Sequence, residues 1–231
     1  MKIGLMGGTF DPIHEGHLHI ADAACTEFGL DEVWFLPAGD PYFKAGRDVT
    51  PAKQRLEMTR RCIKSYAPRY SCNEIEVERP GATYTSETLS ELHKRYPMHD
   101  FYFIIGLDSL YQLHRWHEPQ KLFQNAVLLC ADRPAESDAL DKTPPKTTEP
   151  FTQQTEAKDE TKLPPDERIR VLQERFGPSC RIYRLKTPPM AISSSMIRSR
   201  VRDGKDISGL VTPPVAAFIK ENGLYLPMKE D

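Results

Sequence analysis

Three histidines, three glycines and an aspartate fall within GGTFDPIHEGHLHI, residues 7 to 20. His14 and His17 are three apart, so on a helix they share one side of the first turn. Imidazoles placed there can donate hydrogen bonds to phosphate oxygens and stabilise the charge that builds up in phosphoryl or nucleotidyl transfer. Gly7 and Gly8 suit a tight turn and let a phosphate approach bare amides. The helix that follows adds unpaired N–H groups and a partial positive charge. His19 is one step out of phase and reads as a surface histidine. GGTFDP lacks G-x-G-x-x-G, and no G-K-[ST] follows, so the stretch is neither a dinucleotide fingerprint nor a P-loop.

Further stretches carry related chemistry. In ISSSMIRSRV, three serines opening a helix offer hydroxyls and amides to phosphate oxygens, and Arg198 adds a fixed charge. An ordinary N-cap needs only one of those serines. In PGATYTSETL, Pro80-Gly81 makes a turn, Thr85 or Ser86 caps a helix, and amides at that terminus suit a carboxylate. In IIGLDSLYQLHRW, Gly106 and Asp108 follow a strand, where a carboxylate can accept from ribose hydroxyls. Lys44 in LPAGDPYFK reads as an exposed lysine or as a partner for a phosphate.

The elements that must position these groups alternate along the chain. KIGLM is a short apolar run ending at Gly7-Gly8, and a helix is expected from about Glu15 to Phe28. EVWFLPAG is the next strand, and Thr50-Pro51 opens a second helix with Thr50 as N-cap. SCNEIEVE alternates like a strand, and SETLSELHKRY reads as a helix with Leu89 and Leu92 inward. DFYFIIG and NAVLLCADR are continuous apolar runs, the pattern of strands buried on both faces. CRIYRLK is a candidate last strand, with closing helices in SSSMIRSRVRDG and PPVAAFIKENG. Strands separated by helices predict an α/β fold, a doubly wound, Rossmann-like parallel sheet flanked by helices. Its pocket lies outside the carboxyl ends of the strands.

At 231 residues the chain can bury a sizeable core. The net charge of −2 gives no broad basic field, so a nucleic acid is not an expected partner. The five cysteines are odd in number and form no C-x-x-C pair, which fits free thiols in a reducing cytosol and not a zinc site. MKIGLMGG reaches its glycines too soon for a signal peptide, and no apolar stretch approaches the ~18 residues of a spanning helix. A cytoplasmic protein without a membrane partner is expected. Homo-oligomerisation is left open.

GTFDPIHEGH resembles the H-x-G-H motif of the nucleotidyltransferase superfamily related to class I aminoacyl-tRNA synthetases. The longer GGTFDPIHEGHL is similar to the bacterial nicotinate mononucleotide adenylyltransferases. ISSSMIRSRV is similar to that family's I-S-S-T-x-I-R, PGATYTSETL to its P-G-x-x-Y-T-x-x-T-L, and LPAGDPYFK to its P-x-x-x-P-x-x-K. The resemblance covers nearly the whole chain and implies adenylyl transfer from ATP to nicotinate mononucleotide, giving deamido-NAD and pyrophosphate. It implies that His14 and His17 are catalytic. It assigns ATP to these histidines with Gly7, Gly8, Thr9, Phe10, Gly106, Asp108, Ile192, Ser193, Ser194, Ser195 and Arg198. It assigns the mononucleotide to Asp11, Lys44, Thr83, Tyr84, Thr85, Trp116 and Arg133, with Trp116 as the platform for the pyridine ring. Mg²⁺ would ride mainly on the ATP phosphates and water, with no metal site built by the protein. Arg133-Pro134 departs from the family's R-P-G, since Ala135 replaces the glycine. Rival substrates within the superfamily are nicotinamide mononucleotide, FMN, phosphopantetheine and glycerol phosphate. A tRNA synthetase is disfavoured by the length and by the lack of K-M-S-K-S. A non-catalytic nucleotide sensor is disfavoured because histidines and serines are all in place.

The expected domain spans residues 1–231, interrupted at about 134–164 by PAESDALDKTPPKTTEPFTQQTEAKDETKLP. Five prolines, a single aromatic and dense Thr, Lys, Glu and Asp leave little apolar surface to offset ordering entropy, so a disordered surface insertion is expected. Replacing Ala135 to Leu163 by a short Gly/Ser linker should leave folding and basal activity largely intact, and limited proteolysis should cut the native chain there first. Resistance to protease, or loss of activity on replacement, would contradict this.

Overall fold

The computed structural model describes residues 1–40, 49–132, 163–186, 188 and 190–227. In chain order its elements are β1 (Lys2–Gly8), α1 (Glu15–Phe28), β2 (Glu32–Pro37), α2 (Ala52–Ile63), β3 (Tyr70–Cys72), α3 (Ile75–Glu78), α4 (Thr85–Arg95) and β4 (Asp100–Gly106). There follow α5 (Leu107–Gln112), α6 (Pro119–Asn125), β5 (Val127–Ala131), α7 (Pro165–Phe176), β6 (Ile182–Arg184), α8 (Ser194–Arg202) and α9 (Pro213–Glu221).

The six strands form one all-parallel sheet in the order β3-β2-β1-β4-β5-β6. Strand order reverses between β1 and β4, where crevices open in sheets of this kind. Because successive strand residues point to opposite faces, the apolar runs split into two cores. On one face Met6, Val33, Phe35, Ile104 and Leu129 pack under α1, α2, α8 and α9. On the other, Ile3, Leu5, Trp34, Leu36, Phe103, Ile105 and Leu128 pack under α4, α5, α6 and α7. Each fully buried Leu, Ile or Phe contributes ~1.5–3 kcal/mol. The doubly wound sheet flanked by helices is the architecture expected from the sequence.

Local boundaries depart from the sequence reading in four places. SCNEIEVE does not form one strand: Asn73 Oδ1 accepts the Ile75 N–H at 3.1 Å, turning the chain after Cys72 into the single turn α3. The N-cap of α2 is Pro51, not Thr50, because the Thr50 carbonyl and N–H are drawn to Arg55 and Asp11. The N-cap of α4 is Tyr84, with Ser86 already buried inside the helix. The crossover helix α7 was not anticipated, although Ile169 and Leu172 mark its buried face.

Most of the expected insertion lies outside the described residues, which resume at Leu163. Its flanks meet at one guanidinium, since Asp132 and Asp166 both pair with Arg184 of β6, at 2.6 and 3.1 Å. All five cysteines are free. Burial pushes the thiols of Cys62, Cys72, Cys130 and Cys180 up to about 12, which keeps them protonated and unreactive.

Gly39, just past β2, has no room for a side chain: a Cβ there would stand 2.1 Å from the Glu76 carbonyl oxygen. Relief requires backbone to move, so Gly39→Ala should cost ~1–3 kcal/mol, the overpacking range. A thermal melt equal to that of the unmutated protein would show that the α3 backbone yields without cost.

Candidate active site

The loop joining β1 to α1 lies at the strand-order reversal. Gly7 and Gly8 continue β1, in register with Leu36 and Pro37. The tight turn expected at these glycines is instead made at Phe10, whose φ is 50°, followed by a cis Asp11–Pro12 peptide. The glycines make room for rings. A Cβ on Gly7 would stand 3.3 Å from Phe103, and one on Gly8 would stand 2.9 Å from Phe10. The Phe10 ring is buried between Phe35 and the edge of His17, which holds the left-handed backbone in place.

Such a loop has no ladder partners, so its carbonyls need donors from elsewhere. Arg55 donates to Thr9 O at 2.7 Å, Arg198 to Asp11 O at 2.8 Å, and Ser194 Oγ to Pro12 O at 2.9 Å. The Asp11 carboxylate, 3% exposed, accepts from Tyr225 Oη at 2.7 Å and from the Thr50 N–H at 3.3 Å. Burial first, then the neighbouring Asp11 charge, pushes the Tyr225 hydroxyl up, so it stays protonated and donates. The Asp11 carboxylate is therefore buried and bonded within the protein here.

His14 is the N-cap of α1 and is buried, whereas His17 is partly exposed. Their rings lie nearly parallel with centroids 3.7 Å apart. The His14 N–H donates to His17 Nδ1 at 3.2 Å. Nδ1 is thereby the acceptor, so in the neutral ring the proton sits on Nε2. Gly16 makes the pair fit, since a Cβ there would meet His14 Nδ1 at 3.0 Å. The N-terminus of α1 is less open than expected, because Glu15 N–H donates to Leu210 O at 2.9 Å. His19 joins Pro188 O at 3.0 Å, away from the pair, as a surface histidine would.

The tertiary fold brings the serine element onto this loop. Ile192 O lies 3.7 Å from the place of a Gly16 Cβ, and Ser194 and Arg198 grip the loop carbonyls. Ser193 is the ordinary N-cap, accepting from Met196 N at 3.2 Å, and Ser195 Oγ accepts from Arg198 at 3.2 Å. These bonds engage two of the five guanidinium N–H donors of Arg198. Histidine, hydroxyl and guanidinium donors thus converge on one loop.

Across the reversal point, Gly106 caps α5, Asp108 is exposed in its first turn, and Trp116 stands edge-on to Phe103, the ring that touches Gly7. Tyr84 packs on His117 with centroids 4.4 Å apart, which joins the start of α4 to the turn bearing Trp116. The N-cap residue Tyr84 makes no capping hydrogen bond with its own side chain. Thr83 donates to Glu76 at 3.4 Å, and burial pushes the Glu76 carboxyl up. Lys44 and Arg133 lie outside the described residues. Sequence reasoning missed Arg55 and Tyr225, which sit in segments with no recognisable motif. Only an arginine among apolar helix positions hinted at the first.

A family model described as Cytidylyltransferase-like matches residues 5–200. A probable nicotinate-nucleotide adenylyltransferase of Desulfitobacterium hafniense is 35% identical over 227 residues, covering 97% of this chain and 95% of the relative. One of Dehalococcoides mccartyi is 37% identical over 226 residues, covering 97% of both. Among solved structures, Plasmodium falciparum nicotinic acid mononucleotide adenylyltransferase complexed with NaAD superposes with a TM-score of 0.69 at 19% identity, covering 97% of each chain. Its complex with APC gives 0.68 at 19% identity, covering 97% and 96%. At that identity the superpositions speak for the fold.

The family resemblance expects His17 to be catalytic, as a donor to phosphate. His17→Ala should lower turnover in nucleotidyl transfer by ~10²-fold or more, the scale of losing one such donor. Steady-state kinetics on a mutant that melts like the unmutated protein decides this. Near-normal turnover would remove His17 from the mechanism.

Proposed function

We propose a reaction for this chain from its family: it belongs to the cytidylyltransferase-like family, among the nicotinate-nucleotide adenylyltransferases. It joins the adenylyl group of ATP to nicotinate mononucleotide, giving deamido-NAD and pyrophosphate. The observation that carries this reading is the convergence of His14, His17, Ser194 and Arg198 on one loop at the strand-order reversal, with Tyr84, Thr85 and Trp116 across it.

A phosphate oxygen of the mononucleotide attacks the α-phosphorus of ATP in line. The new O–P bond forms as the bond to the β-phosphate bridging oxygen breaks, and pyrophosphate leaves with the electron pair. The nucleophile is already an anion at neutral pH, so no base and no covalent intermediate are required. Catalysis is placement of the two phosphates plus stabilisation of the equatorial charge. His17 Nε2–H and the buried His14 serve the α-phosphate. The hydroxyls of Ser193 and Ser195 and the remaining Arg198 donors serve the leaving phosphates, while Ser194, whose one O–H goes to Pro12 O, holds the loop. Thr9 and Phe10 line the nucleotide side, and Gly106 and Asp108 meet the adenosine.

Among the described residues no group of three or more His, Cys, Asp and Glu gathers as a metal cage. The donors around the loop suit phosphate oxygens, and Mg²⁺ carried on the triphosphate and water would neutralise its charge. From the family resemblance, Lys44 and Arg133, outside the described residues, are assigned to the mononucleotide. No helix among the described residues is long and apolar enough to cross a membrane. We read residues 1–231 as one nucleotidyltransferase domain acting in the cytoplasm on small soluble substrates, without nucleic acid.

The start of α4 sets the choice between acid and amide. A helix N-terminus favours a carboxylate, and charge-assisted bonds are roughly twice as strong as neutral ones. The amide's NH₂ would find donors where it needs an acceptor, at ~1–3 kcal/mol for each unpaired group. Two or three such terms predict a preference of ~10²-fold or more in kcat/KM for nicotinate over nicotinamide mononucleotide. A pyrophosphate-release assay with ATP and both mononucleotides measures it. Thr85→Ala should narrow the ratio only partly, because backbone donors remain. Equal kcat/KM for the two would favour a dual-specificity enzyme instead.

A further inference from the structure

Arg55 of α2 is 1% exposed, and its guanidinium reaches three segments at once. Nε donates to Thr50 O at 2.7 Å, one terminal nitrogen to Thr9 O at 2.7 Å, and the other to Gly39 O at 2.8 Å. All three partners are backbone carbonyls. Burial pulls the guanidinium's pKa down, opposed by the nearby charge of Asp11 and then by Tyr225 and Asp40. A cation in this place is costly, and an apolar side chain of similar volume often serves packing alone equally well. The fork geometry points to a positional task, because only a planar guanidinium presents donors in three fixed directions.

Two of the three carbonyls, those of Thr9 and Gly39, belong to different halves of the site. Thr9 opens the loop that carries His14 and His17. Gly39 lies against the Glu76 carbonyl, and Asp40 bridges Ala82 in a parallel backbone pair. Ala82 is followed directly by Thr83, Tyr84 and Thr85. A covalent and hydrogen-bonded route therefore runs from the nucleotide loop through Arg55 to the segment facing the pyridine ring.

We propose that Arg55 is a positioning residue that holds the nucleotide half and the mononucleotide half of the site at one fixed separation. This rests on the reaction proposed above. Each substrate alone meets only one half, so loosening the link changes its binding little. The dinucleotide product spans both halves and needs them at the right separation simultaneously. Without the clamp, its binding must first order the two halves relative to each other, and preorganisation is lost.

Isothermal titration of deamido-NAD, ATP–magnesium and nicotinate mononucleotide into the unmutated protein, R55M and R55K tests this. Stoichiometry near one certifies a folded site in each variant. In R55M the product should bind ~10-fold or more weakly, while each separate substrate stays within about threefold. R55K, which keeps a cation but loses the fork, should fall between, and it carries the test if R55M does not fold. Equal weakening of all three ligands would mark a purely structural role and overturn the proposal, as would unchanged product affinity at full stoichiometry. Failure of the unmutated protein to bind the mononucleotide or the product would instead overturn the reaction.

Discussion

Backbone carbonyls in a loop with no ladder partners must still be satisfied, and the β1–α1 loop meets this demand with side chains from far along the chain. Arg55, Ser194 and Arg198 each take one carbonyl, and Tyr225 and the Thr50 amide take the Asp11 carboxylate. A loop bound in this way is held from three directions: by α2, by α8 and by the segment after α9. The histidine pair that follows inherits its placement from those bonds. Catalysis by positioning tolerates little slack, since misplacement by an ångström costs orders of magnitude in rate.

The sheet makes this convergence available. Parallel strands buried on both faces bring every βα loop to one edge, and the reversal between β1 and β4 parts the helices there. The two cores then fix the helices whose ends line the crevice. Helices α1, α2, α8 and α9 share one core, which is why the H-x-G-H loop, Arg55, the serine element and Tyr225 meet. Helices α4, α5 and α6 share the other, which brings Tyr84 and Trp116 to the opposite wall. Phe103 joins the walls, touching the vacant side of Gly7 and the edge of Trp116.

Small residues in this site serve packing as much as ligand access. Gly16 lets the His14 ring lie against α1, and Gly8 accommodates Phe10. The ring of His14 then stacks on His17, whose Nδ1 is committed to a backbone amide. The tautomer of the neutral His17 ring is thus set by the local turn of α1.

The sequence by itself determined the doubly wound architecture, because continuous apolar strands alternating with one-sided helices have few other ways to bury both strand faces. It also determined the H-x-G-H pair, whose three-residue spacing acts within a single helical turn. Features decided by contacts between distant segments were not legible. Thr50 gave up its capping role because its carbonyl and amide were claimed by Arg55 and Asp11, and Asn73 ended a strand that alternation alone would have prolonged. The Asp11 carboxylate found a donor in Tyr225, 214 residues away. Arg55 is one more arginine in a helix until folding surrounds it with the carbonyls of Thr9, Gly39 and Thr50. Periodicity reports which face of an element is buried, but partners for loop carbonyls exist only once the sheet has brought its loop ends together.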